Sequence, residues 1–179
     1  MGIKNSIRKF LGGKAMSALP RGTIAPPISL ADSNGKKLSL AEALKRGPVL
    51  AAFFKVGCPT CQFTMPFLER LHQRYAGAKF SLLGISQDDE RDTREFCREY
   101  GVQFPALIDE RGYPASNEYG ITNVPTMFWI SPDGQIQSIS VGFSKADLQA
   151  LAAQAAQAVG KPPAPLFNPG EVIPETRHG

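Results

Sequence analysis

Apolar and polar positions change period several times along the chain, and each change predicts an element. Val49–Phe54 (VLAAFF) is apolar throughout, as in a strand buried on both faces of a sheet. Phe63, Phe67, Leu68 and Leu71 then recur at helical spacing, predicting a helix to about Tyr75 that bends at Pro66 and ends before Gly77. Phe80–Ile85 (FSLLGI) repeats the buried-strand pattern. Asp89–Tyr100 reads as a charged helix turning Phe96, Cys97 and Tyr100 inward, stopped by Gly101. Ala106–Ile108 is a short strand, Asp109–Gly112 a turn, and Pro114–Tyr119 one or two helical turns. Thr126–Ile130 and Ile136–Val141 are strands joined by Ser131-Pro132-Asp133-Gly134, and Ser144–Asp147 caps an alanine-rich helix through Val159. Upstream, Ile28–Leu30 and Lys37–Ser39 flank Asp32–Gly35, whose Asn34-Gly35 pair signals a hairpin. Ser39 and Glu42 form a capping-box pattern on a short helix, Leu40–Lys45. Strands separated by helices, then a hairpin and a helix, predict an α/β sandwich with a central mixed sheet.

The flanks differ in character. Pro20–Pro27 is a proline-spaced linker, and from Gly160 the prolines 162, 163, 165, 169 and 174 favour an extended path. A disordered tail is one reading; the other, favoured because Phe167 has little reason to stay wet, is that Leu166, Phe167, Val172 and Ile173 strap the tail across the domain. The division expected is a basic arm and linker over 1–24, one domain over 25–159, and a tail over 160–179. Of the 179 residues, 42% are hydrophobic and 20% charged, an ordinary soluble composition without a bilayer-length apolar run. The net charge of +4 is concentrated in the arm, where Lys4, Arg8, Lys9, Lys14 and Arg21 all precede the first acid, Asp32. Ile3, Ile7, Phe10 and Leu11 share one helical face there. No uninterrupted apolar core of secretory type accompanies them, so a cytoplasmic setting is expected. So short an amphipathic helix binds a membrane weakly, and packing on the domain or a partner chain is the simpler expectation. Phe10 is the arm's one aromatic and no recognition module is visible, which argues against nucleic acid.

Candidate chemistry sits where the first buried strand gives way to its helix, at Cys58-Pro59-Thr60-Cys61. The first helical turn carries unpaired N–H groups and a positive dipole end, both of which favour a thiolate. Pro59 suits the first helical position, making Cys58 the exposed nucleophile and Cys61 its more buried partner. Half of a zinc site looks the same, but the remaining ligands, Cys97, His72 and His178, have no metal-site spacing. Two inert core cysteines are the plainer alternative. Lys55, three residues before Cys58, would favour the Cys58 thiolate if its ammonium lies close, or else points to solvent. Cys97 reads as a small core residue, and His72 as lying on the solvent side of its helix.

Taken together, the strand–CPTC–helix unit, Pro66, FSLLGISQDD, YGVQFPALIDERG and YGITNVPTMFWISPDGQI resemble the thioredoxin-like superfamily. The likeness is to its TlpA/ResA-type, AhpC/TSA-related branch and covers roughly residues 25–159. The resemblance implies a three-layer α/β/α thioredoxin-like sandwich with an N-terminal hairpin. It implies a cis peptide before Pro125, with Val124 and Pro125, beside Pro59 and Thr60, lining the substrate site. It implies thiol–disulfide exchange with protein or small-thiol substrates, and an external thiol reductant or reductase as partner. No metal or organic cofactor is required beyond a redox-active Cys58–Cys61 disulfide. Departures are Gly57 where an aromatic residue is usual, Ala52 in place of a buried acid, and Thr64 in place of a glutamate. A peroxiredoxin-like peroxidase is the first rival, though FFKVGC lacks the proline and hydroxyl that a peroxide pocket needs. The second is a binding or metal-carrier module on the same fold.

Overall fold

The computed structural model describes residues 17–77 and 79–179; expectations for the basic arm that fall on residues 1–16 lie outside the described residues. β1 (Ser29–Ala31) and β2 (Lys37–Ser39) form an antiparallel hairpin. Its loop is organised by Asp32 more than by the Asn34-Gly35 pair alone. The Asp32 carboxylate accepts the amides of Asn34 and Lys36, both at 2.9 Å. Ser39 then caps α1 (Leu40–Leu44), its Oγ accepting the amide of Glu42.

β3 (Val49–Phe54) leads into α2 (Pro59–Tyr75), which passes through Pro66 as one helix. β4 (Ser81–Ser86), α3 (Glu90–Glu99), β5 (Ala106–Ile108) and α4 (Pro114–Glu118) follow. β6 (Thr126–Ile130) and β7 (Ile136–Val141) make the second hairpin; the two-residue β8 (Phe143–Ser144) leads into α5 (Lys145–Val159). The central sheet has the order β5-β4-β3-β6-β7, with β3, β4 and β5 parallel and β6 and β7 antiparallel. This is the mixed sheet of the thioredoxin-like sandwich.

Strand pleating sorts the core into two layers. Leu50, Ala52, Phe54, Leu82, Met127 and Trp129 face the layer formed with α2, α3 and α5. Val49, Ala51, Phe53, Leu83, Ile85 and Phe128 face the other, where α1 and α4 supply Leu40, Ala43 and Ala115. Each six-residue central strand is buried throughout, which explains why its sequence shows no alternation. Trp129 stacks on Phe80 at a centroid distance of 5.3 Å, near the end of the sheet remote from Pro125.

Both flanks lie on this body. Residues 17–27 run beside the β6–β7 hairpin, with Gly22 donating to Ile136 O, Ile136 to Thr23 O and Ala25 to Gly134 O. The Tyr119 hydroxyl donates to Pro26 O at 2.8 Å. The tail crosses α2: Arg74 donates to Pro165 O and Ala164 to the Tyr75 hydroxyl. Leu166 is fully buried, and Phe167 packs edge-on against Phe67 and Phe143. Beyond it, β9 (Thr176–Arg177) pairs with β8. Among the described residues no helix is long and apolar enough to cross a membrane.

Candidate active site

Cys58 takes the N-cap position of α2, a place usually held by serine, threonine or aspartate. Its Sγ performs the capping role, accepting the amide of Cys61 at 3.2 Å, and Pro59 occupies the first turn. A sulfur receiving a helix-initiating N–H is placed where negative charge is stabilised. The Cys58 thiol also donates to the Val124 carbonyl at 3.3 Å. That contact brings the loop before β6 against the cysteine pair, and the Val124–Pro125 peptide is cis.

Cys61 lies one turn further in and is fully buried. Burial is the largest cause pushing its thiol well above the ordinary value of 9.0. The Lys55 backbone opposes that shift through a hydrogen bond, while the Cys58 thiol and the charge of Asp88 add to it. The two sulfurs thus differ in kind. One is half-exposed at a helix tip, and the other is enclosed and held as a thiol.

Lys55 is exposed, and among the described residues its ammonium makes no ion pair. Its backbone contributes instead: its carbonyl accepts the Cys58 amide at 3.2 Å. Pro59 is exposed on the rim. Thr60 is buried, and its hydroxyl donates to the His178 carbonyl at 2.6 Å. Thr64, standing where a relative would carry a carboxylate, turns its hydroxyl back onto Thr60 O and is fully buried.

Two neighbours of the pair escape a linear reading. Asp88 accepts the Val56 amide at 2.7 Å, beside the turn that carries Cys58. The register between β3 and β4 sets Phe54 opposite Ser86, so residues two further along each strand come side by side. Adjacency of the two apolar strands was the signal that could have found it. His178 reaches the site from the tail, and no local pattern in the sequence announces that contact.

His72 is half-buried, packing edge-on against Phe104 with a ring separation of 5.9 Å and a buried Nδ1. Desolvation lowers its pKa, partly offset by Glu69. Cys97 packs against the core beneath α3, and burial foremost, then Glu69, raises its thiol to about 11. Among the described residues no group of three or more His, Cys, Asp or Glu side chains is placed to hold a metal ion.

Known proteins resemble this chain in sequence and fold. The family model described as the AhpC/TSA family matches residues 21–139. The thioredoxin-like protein YneN of Bacillus subtilis (strain 168) is 34% identical over 128 residues, which cover 69% of this chain and 73% of that protein. The thiol-disulfide oxidoreductase ResA of Bacillus thuringiensis (strain Al Hakam) is 29% identical over 122 residues, covering 68% and 69% of the two chains. A solved structure of a thiol:disulfide interchange protein of the thioredoxin family from Chlorobium tepidum TLS superposes with a TM-score of 0.65 at 28% identity. It covers 80% of this chain and 100% of that one.

Proposed function

The chain belongs to the AhpC/TSA family, and from that membership we propose that it is a thiol–disulfide oxidoreductase with Cys58 as attacking sulfur and Cys61 as resolving sulfur. The observation that carries the reading is the asymmetry of the pair. A half-exposed sulfur caps the helix, and a fully buried thiol sits one turn behind it.

The Cys58 thiolate attacks one sulfur of a substrate disulfide. A Cys58–substrate disulfide forms, and the second substrate sulfur leaves as thiolate and takes a proton from water. Cys61 then loses its proton, attacks the Cys58 sulfur and releases the remaining substrate thiolate. Two electrons have passed from the dithiol to the substrate, and an external dithiol or thiol reductant returns them. No metal or organic cofactor takes part. The electrons are held and released by the Cys58–Cys61 bond.

Neighbouring residues have assigned parts in this cycle. When Cys58 loses its proton, the Val124 carbonyl loses the S–H donor seen at 3.3 Å. With that donor gone, it accepts an N–H from a bound partner wherever the neighbouring Gly179 leaves it open. Pro125, Pro59 and Thr60 complete the wall on which that partner rests. Asp88, fixed by the Val56 amide, is an acid whose charge bears on Cys61 and helps to keep it a thiol until the mixed disulfide forms. Lys55 on the exposed rim adds positive charge to the approach. Substrates are disulfides of proteins or small thiols.

A titration of the purified chain in glutathione redox buffers tests the reading. The expected result is closure of the Cys58–Cys61 pair with loss of two titratable thiols. Cys58→Ser should abolish exchange, and Cys61→Ser should accumulate the mixed disulfide. A pair that stays dithiol under every buffer, with exchange unaltered by Cys58→Ser, would end it.

A further inference from the structure

The end of the described chain lies in the candidate active site. Thr60, on the first turn of α2, donates its hydroxyl to the His178 carbonyl at 2.6 Å. The Arg177 guanidinium sits over the Phe63 ring at 4.5 Å, one turn along the same helix. Gly179 packs so tightly on the Val124 carbonyl that a Cβ there would overlap the oxygen. This is the same carbonyl that receives the Cys58 thiol. On the far wall, a Cβ on Gly142 would fall 2.6 Å from the Arg177 carbonyl. Residues 177–179 therefore lie between Thr60 and Val124, along one side of the Cys58 sulfur. The other side, rimmed by Lys55, Gly57 and Pro59, is exposed.

The strap is held unevenly along its length. Leu166 and Phe167 are anchored in the core. The distal part buries no side chain fully: besides the Thr60–His178 hydrogen bond and the Arg177–Phe63 contact, it rests on the two-residue β8–β9 pairing, the Lys145 amide donating to Glu175 O, and a Lys145–Glu175 ion pair at 3.5 Å. A two-residue pairing and an exposed ion pair are weak ties.

We propose that residues 175–179 select substrate by size: with the strap seated, Cys58 exchanges with small-molecule disulfides through the Lys55–Pro59 rim, and a polypeptide disulfide gains access only when the strap lifts. A small disulfide brings little beyond its two sulfurs and passes along the open side. A polypeptide brings chain on both sides of its cysteine and has to lie across the wall between Thr60 and Val124, which the strap fills. Apparent affinity for the polypeptide then falls in proportion to the fraction of time the wall is clear.

This inference rests on the oxidoreductase reading, and the test separates the two. The full chain is assayed with dithiothreitol as electron source against glutathione disulfide and against insulin, and hydrogen exchange at residues 176–179 reports the strap. Gly142→Ala places a methyl group in the space of the Arg177 carbonyl. Glu175→Lys turns the Lys145 pair repulsive and disturbs no buried group. Either variant is expected to raise exchange at 176–179 and to speed insulin reduction about tenfold, as for a site otherwise clear a tenth of the time. Turnover of glutathione disulfide should stay unchanged. A released strap with an unchanged ratio of the two rates overturns the proposal, and so does a strap that stays protected in both variants. A full chain inactive on both disulfides overturns the oxidoreductase reading itself, and this inference with it.

Discussion

Two proline-spaced segments flank the domain, residues 17–27 and 160–179, and they lie on it in different ways. The first follows the β6–β7 hairpin with backbone hydrogen bonds and sets Ala18, Leu19 and Ala25 against the layer of α1 and α4, away from the cysteines. The second buries two side chains in the opposite layer, crosses α2 and arrives at Thr60 and Val124. Similar composition thus serves two ends. The leading strip closes a hairpin edge and carries no chemistry. The trailing strap is anchored at one end and lightly held at the other, beside a reactive sulfur. A glycine permits each approach: Gly120 (φ +66°) against the Ser17 carbonyl, and Gly142 (φ +73°) against that of Arg177.

The contrast is broken most severely at the anchor. Leu166→Ala removes a fully buried side chain and is expected to cost about 2–5 kcal/mol in a urea-unfolding experiment. A loss below half a kilocalorie would make the strap an appendage rather than part of the core. Next in size is Gly120→Ala, the counterpart of Gly142→Ala at the leading strip. The left-handed backbone alone costs about 1–2 kcal/mol for an alanine, and the added methyl group displaces the Ser17 carbonyl. Stability should fall in the same unfolding experiment while the insulin-to-glutathione rate ratio holds. A changed ratio would erase the distinction between the two flanks.

The smallest effect concerns pH. Arg70 first, then the Asn168 amide, hold the Glu171 carboxyl at about 2, below its ordinary 4.5. A depressed carboxyl contributes its full stability above pH 4.5 and loses it as pH falls toward 2. The Asn168 and Glu171 amides followed by NMR should therefore shift on acidification below pH 4.5. Glu171→Gln removes that acid response. Persistence of the response in the variant would assign it to another group.

Local signals made most of the domain legible. Unbroken apolarity marked β3 and β4 as central strands, Ser39 and Ser144 announced their helices, and Cys58-Pro59 marked the start of α2. The family resemblance, carried by Val124-Pro125-Thr126, placed the cis peptide that the structure contains. What escaped was set by pairing across the fold. Asp88 is defined by the neighbouring strand's register. The Thr60–His178 bond joins residues 118 apart in sequence, a separation no periodicity encodes. Proline spacing predicts an extended tail but says nothing of where it runs. His72, expected on the solvent side of α2, is half-buried because the ring of Phe104 covers part of it, a contact that a simple helical wheel does not show.

Trp129 is the chain's single tryptophan, stacked on Phe80. It stands four residues along β6 from Pro125, about 13 Å at the usual rise of a strand. Its indole emission will therefore report loss of the folded core and stay indifferent to whether the sulfurs are joined. Optical melting curves of the oxidised and reduced chain can thus be compared directly, without correction for quenching by the disulfide.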